Sequence, residues 1–278
     1  MKKFVIHLPS GEAFSPDKTF NCGQCFRFEK EGDFWCGVVN GSYVKIPQNQ
    51  ASAQITYYSD KELPKEFFDS GLSYGEINEK ILSSFGDSVS GVIENAVEIS
   101  CGLRILKQNF FETLISFIIS QNNNIPRIKK NVASLCSLCG ERFESENKTF
   151  YSFPTPQAIL SAGEDGLNSC KLGFRTKYIL DASVKCASGE ISEKKLSALS
   201  TKEAKQVLTT IKGVGPKVAS CVLLYGLHRL DEVPVDVWMK KVFQKYFGAD
   251  TAELGEWGGI VQQYLFFRER YIIEGKKV

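Results

Sequence analysis

The chain holds only two histidines, His7 and His228, and no apolar run that approaches the ~18 residues needed to cross a membrane. So few histidines leave little for a zinc site. The cysteines do not supply one either, because Cys22-x-x-Cys25 and Cys136-x-x-Cys139 lie far apart, whereas zinc sites gather such pairs closely. After Lys2-Lys3, only residues 4–8 precede Pro9, and His7 interrupts them, so the core of a secretory signal is missing. An odd count of nine cysteines without export fits reduced thiols in a cytosolic compartment. Internal repeats and low-complexity tracts are absent. Surplus positive charge is also scarce: the net charge is +2 and the pI about 8.0, low for a nucleic-acid binder.

With 278 residues, 43% hydrophobic and 24% charged, the chain has the composition of an ordinary globular protein of two or three packed units. Its charge is unevenly placed. Residues 1–100 carry a net −5 and residues 101–278 a net +7, so any surface that meets nucleic acid would be built mainly from the second part. Residues 25–28, 34–39, 42–46 and 53–58 alternate as short strands, and Asn40-Gly41 is a strong hairpin signal. Helical periodicity follows over 77–85, 89–99 and 109–120, and residues 141–148 read as a polar loop. The expected fold class is α+β, with a β-rich part over residues 1–104 and a helical part over 105–278.

The most informative stretch is Thr210-Ile-Lys-Gly-Val-Gly-Pro-Lys217. Residues 199–211 read as a helix that Gly213-Val-Gly215 breaks. Pro216 restarts a helix where a missing N–H costs nothing, and Gly226 ends it. Two helices joined by a glycine bend can aim several N–H groups at a phosphate oxygen. Lys217 falls in the first turn of the second helix, where a positive dipole and partial burial favour the neutral, nucleophilic amine. Asp236 opens another periodic run, 237–247, in the position of an N-cap. Taken singly, Lys217 reads as a solvated charge and Asp236 as a cap; the hairpin between them makes the pair a catalytic candidate.

This combination resembles the 8-oxoguanine DNA glycosylase/AP lyase family of the helix-hairpin-helix (HhH-GPD) superfamily, over residues 20–266. The resemblance implies an antiparallel sheet domain packed beside two mainly helical domains. It makes Lys217 the Schiff-base nucleophile and Asp236 the carboxylate that stabilises charge on the sugar. Gly23, in Asn21-Cys-Gly-Gln-Cys-Phe-Arg27, would offer its carbonyl to the N7–H of 8-oxoguanine. Phe266 would stack on the flipped base, Gln262 would bond its Watson–Crick edge, Cys221 would close the other face, and Pro234 would wall the pocket. On the DNA side, Asn122 would fill the emptied stack, Phe174 would wedge into it, and Arg127 and Arg175 would read the orphaned cytosine. Gly213, Gly215 and Val218 amides would grip a phosphate, with a monovalent cation at hairpin carbonyls near Gly213 and Gly215. Trp238 stands where relatives often carry a phosphate-touching histidine. Its N–H donates one bond but brings no charge.

Iron–sulfur relatives carry four closely spaced cysteines after the catalytic Asp. Here the last cysteine is Cys221, which precedes Asp236. The resemblance therefore implies no iron–sulfur cluster, no zinc and no other cofactor. It implies a monomer acting on double-stranded DNA that contains 8-oxoguanine, DNA-associated in the cytoplasm (the nucleoid in a prokaryote). Two other readings stay open: a glycosylase of the same superfamily for another damaged base, or a non-enzymatic helix-hairpin-helix module.

Overall fold

A computed structural model describes residues 1–51, 53–273 and 275, the stretch 271–273 through its backbone only. The N-terminal part contains β1 (Lys2–His7), the short helix α1 (Pro16–Asn21), β2 (Phe28–Glu31), β3 (Phe34–Val39), β4 (Ser42–Pro47) and β5 (Gln54–Ser59). The strands form one antiparallel sheet in the order β1-β5-β4-β3-β2. Asn40 and Gly41 both take positive φ, 48° and 73°, the geometry of a tight hairpin turn matched to strand twist. On the core side, Phe20, Phe28, Trp35, Tyr57 and Phe68 pack as an aromatic cluster.

Helices follow: α2 (Tyr74–Ser83), α3 (Asp87–Ile99), α4 (Phe110–Ser120) and α5 (Ile125–Cys139). After the hairpin strands β6 (Arg142–Ser145) and β7 (Lys148–Tyr151) come α6 (Pro156–Asn168), α7 (Arg175–Ala187), α8 (Glu193–Ser197), α9 (Thr201–Thr209), α10 (Pro216–Gly226), α11 (Val237–Phe247) and α12 (Gly258–Phe267). Every residue of α4 from Thr113 to Ile119 is buried, so this helix forms the centre of the helical part. It packs against α10, α7 and α5. The larger core cluster runs from Cys22 and Phe26 through α2 and α3 to Phe267, so one apolar interior supports the helices from α2 to α12. The fold is α+β, as expected.

Several boundaries differ from the sequence reading. Residues 141–148 are not a loop. They belong to the β6–β7 hairpin, which turns at Glu146 and Asn147 with φ of 47° and 59°. Its strands are four residues long and mostly polar, which hid them. The hairpin earns its place by docking on the sheet: Phe150 stacks on Tyr43 at 4.1 Å, and Ser145 bonds Asp60. Residues 25–27 are not strand, because the backbone there is still leaving the bend at Gly23 and β2 begins at Phe28. The helix expected over 199–211 starts at Thr201, where Ser200 and Glu203 form a reciprocal capping box.

Buried thiols give the fold an alkaline limit. Burial pushes Cys22 and Cys136 up to about 12, and Cys186 and Cys221 up to about 11, from an ordinary 9.0. Above pH 9.0 the unfolded chain releases protons that the folded chain keeps, so stability falls as pH rises. The melting temperature of the reduced protein should hold near neutrality and drop steadily above about pH 9. A flat melting profile to about pH 11 would contradict this burial.

Candidate active site

The hairpin lies between α9 and α10. Gly213 takes φ +78°, and a Cβ there would meet the Tyr178 ring at 2.2 Å, so both backbone and packing demand glycine. Asp181 accepts the Lys212 N–H at 2.8 Å, and the Lys185 ammonium donates to the Thr210 carbonyl. Gly215 caps α10 without a side-chain hydrogen bond. The first N–H groups of α10, Val218 among them, therefore have no intrahelical acceptor and suit an external anion.

Lys217 and Asp236 line the same cleft, together with Gly23, Phe117, Cys221, Pro234, Gln262 and Phe266. The half-buried Lys217 Nζ stands 5.1 Å from the Phe117 ring centre and 3.5 Å from Ser120 Oγ, so α4 aims the amine. Asp236 caps α11, with its Oδ1 accepting the Met239 N–H at 2.8 Å. That bond fixes the carboxylate at the cleft. Cys221, one turn past Lys217, is raised to about 11 chiefly by burial, with the Lys217 charge opposing it. It is therefore a neutral thiol beside the amine at physiological pH. Gln262 is only 4% exposed, and its Oε1 has no hydrogen-bond partner among the described residues. An unpaired buried acceptor costs ~1–3 kcal/mol, which a donor on a ligand in the cleft would recover.

The space between these groups is about 50 Å³. A hollow of about 290 Å³ lies elsewhere, where Asn40, Asn109 and Pro154 meet, but its one ionisable lining group is Glu112 and it has no amine. Chemistry and not volume marks the site.

Gly23 takes φ +81°, and a Cβ there would lie 3.8 Å from the Phe266 ring, so the backbone conformation more than crowding requires glycine. Three glutamines that sequence reasoning passed over hold this bend. Gln24 is fully buried; it donates to the Thr19 and Arg104 carbonyls at 3.0 and 2.9 Å and accepts the Leu106 N–H at 2.8 Å. Gln108 donates to the Gln24 carbonyl at 2.7 Å, and Gln263 to the Cys22 carbonyl at 2.9 Å. The only available signal was the Gln262-Gln263 pair on an apolar helix.

Four of the remaining candidates lie just after α4 and at the start of α7. Asn122 is exposed in a turn at φ 47°, and Arg127 is exposed in the first turn of α5. Phe174 is 53% exposed, unusual for a phenylalanine. Arg175 is different: it is 5% exposed, and four of its five N–H groups go to the carbonyls of Gln121, Asn122 and Leu172. It braces the turn that presents Asn122. Burial, then the charge of Arg127, lowers its pKa. Trp238 is half-buried, with the Lys241 ammonium 5.6 Å from its ring. Its neighbour Val237, which opens the apolar-periodic run read over 237–247, is 73% exposed.

Residues 6–114 match the 8-oxoguanine DNA glycosylase N-terminal domain, and residues 115–256 match the HhH-GPD superfamily of base excision DNA repair proteins. A probable N-glycosylase/DNA lyase of Methanothermobacter thermautotrophicus is 28% identical over 259 residues, covering 82% of this chain and 78% of that protein. The structure of MBOgg1 in complex with a low affinity DNA ligand is 36% identical, with a TM-score of 0.86 over 99% of this chain and 100% of the other. Clostridium acetobutylicum 8-oxoguanine glycosylase/lyase, solved with double-stranded DNA containing cytosine opposite 8-oxoG, is 29% identical, with a TM-score of 0.85 over 96% and 97%. The chain belongs to the 8-oxoguanine DNA glycosylase/lyase family of the HhH-GPD superfamily.

Proposed function

We propose that this chain is a base-excision repair enzyme that flips 8-oxoguanine out of double-stranded DNA, removes it, and nicks the strand. The observation that carries this is the meeting of Lys217 and Asp236 in one cleft with Gly23, Cys221, Gln262 and Phe266. The hairpin amides of Gly213, Gly215 and Val218 hold a phosphate while the nucleotide is extruded, at a cost of a few kcal/mol. A space of about 50 Å³ holds only a few waters, so the Phe266 ring swings from Gly23 as the base enters. The Gly23 carbonyl accepts the N7–H of 8-oxoguanine; normal guanine presents an acceptor there and is refused. Gln262 Oε1 accepts from the base edge, which gives that buried oxygen its partner.

Lys217 then attacks C1′, and the C1′–N9 bond breaks with its electrons leaving on the base. Ionised Asp236 stabilises the positive charge that grows on the sugar. The bound amine passes a proton to the departing base, and the C1′–O4′ bond then opens as O4′ takes a proton from water, leaving a protonated Schiff base. The C2′ proton is now acidic, and its loss breaks the C3′–O bond and expels the 3′ phosphate. An amine and a carboxylate suffice for these steps, so no redox cofactor, zinc or iron–sulfur cluster takes part. Neutral carbonyls near Gly213 and Gly215 suit a monovalent cation, which would stiffen the bend and supply no chemistry. The enzyme works as a monomer, with the DNA in the cytoplasm or nucleoid. Trp238 brings no charge to its position, and the Lys241 ammonium, 5.6 Å from its ring, supplies one.

The test is a set of duplexes carrying 8-oxoguanine opposite each of the four bases. Cleavage should be fastest opposite cytosine, because Arg127 and the last Nη1 N–H of Arg175 donate to its O2 and N3. Good base contacts of this kind discriminate by about 1–3 kcal/mol. Equal rates opposite adenine would remove that role from the arginines. Binding without cleavage would leave only a DNA clamp, and cleavage confined to other lesions would reassign the pocket.

A further inference from the structure

Both DNA-facing features rest on a single helix. Phe174 precedes α7, and its ring meets Tyr178 edge-on, centres 5.8 Å apart at 68°. The Tyr178 ring also lies on Gly213, so close that a Cβ there would fall 2.2–2.5 Å from three ring carbons. One turn further, Asp181 accepts the Lys212 N–H at 2.8 Å. One turn beyond that, Lys185, paired with Asp181 at 3.4 Å, donates to the Thr210 carbonyl. Residues 174, 178, 181 and 185 follow the spacing of one helical face. Arg175 meanwhile holds the Asn122 turn. We propose that α7 is a strut that sets the reach from the wedge to the phosphate-gripping hairpin, and that Tyr178 is the positioning residue linking the two.

The physical reason is rigidity. Side chains on one helix keep their mutual geometry better than side chains on separate loops. Extrusion needs the wedge in the stack while the hairpin holds the backbone, and a misplacement of about 1 Å can cost about 10²-fold in rate. A tyrosine clasped between Phe174 and a bare Cα passes any shift of the hairpin directly to the wedge. The inference rests on the reading of Phe174 and the hairpin as DNA contacts.

The experiment is single-turnover excision on two duplexes, one with 8-oxoguanine opposite cytosine and one with the lesion opposite an abasic-site analogue. In the second there is no pair to break. Tyr178→Leu should be about tenfold slower on the paired duplex, a coupling in the range for side chains in contact, and near wild type on the unpaired one. Tyr178→Phe keeps the ring and should match wild type on both. The double variant Phe174→Ala/Tyr178→Leu should be no slower than Phe174→Ala alone. Equal slowing of both duplexes by Tyr178→Leu, or effects of the two substitutions that multiply, would overturn the link and leave Tyr178 a plain support of the hairpin. Should the leucine variant melt below the assay temperature, Tyr178→Met fills the space without a ring and answers the same question. A wild-type enzyme that leaves 8-oxoguanine in place is a separate failure: it refutes the excision reading itself.

Discussion

Lys217→Gln is expected to bind lesion-containing duplex as wild type does, yet to give no borohydride-trapped adduct and no strand nicking. Glutamine is one bond shorter than lysine and keeps a polar end on the side of Ser120 Oγ, which lies 3.5 Å from the native amine, so the cleft should keep its shape. What it lacks is a lone pair able to form a carbon–nitrogen bond at C1′. No neighbour substitutes. The Cys221 thiol, held near 11 by burial, is protonated at physiological pH and therefore a poor nucleophile. The readouts are a mobility-shift titration beside a borohydride trapping gel. Trapping at the wild-type level would take the nucleophile role from Lys217.

Asp236→Asn separates charge from structure. Asparagine caps a helix about as well as aspartate, so the bond to the Met239 N–H survives and α11 keeps its start. The melting temperature should stay close to wild type. Base excision should fall by about 10²–10³, the usual cost of removing a preorganised electrostatic partner from a developing charge. The lyase step on a ready-made abasic duplex should fall far less, because the glycosidic bond is already broken there. Excision near the wild-type rate would show that Asp236 is only a cap.

Much of the site was legible because it is written in helix punctuation. Pro216 and Gly226 bound α10 as read, Asp236 caps α11, and residues 237–247 are helical as the periodicity implied. These signals are local, so one sequence carries them. The lysine and carboxylate then come together because α10 and α11 share one core with α4 and α12. That convergence is tertiary, and the sequence offered it only through resemblance. The tethers of the Gly23 bend were illegible. Gln24 and Gln263 work through carbonyls up to 241 residues away in sequence, and glutamine has no pattern of its own. The β6–β7 hairpin was missed because it is held by Tyr43 of β4 and by Asp60 just past β5, not by its own alternation. Arg175 was expected to read the orphaned cytosine, and nothing local in the sequence showed that the carbonyls of Gln121, Asn122 and Leu172 would take most of its donors.

The most direct measurement is to trap wild-type enzyme on an 8-oxoguanine:cytosine duplex with borohydride, digest the adduct, and locate the modified residue by mass spectrometry. The deoxyribose remnant should sit on the Lys217 Nζ, in the peptide that follows the hairpin. A remnant on the N-terminus, on another lysine or on Cys221 would contradict the mechanism, even if the lesion were excised.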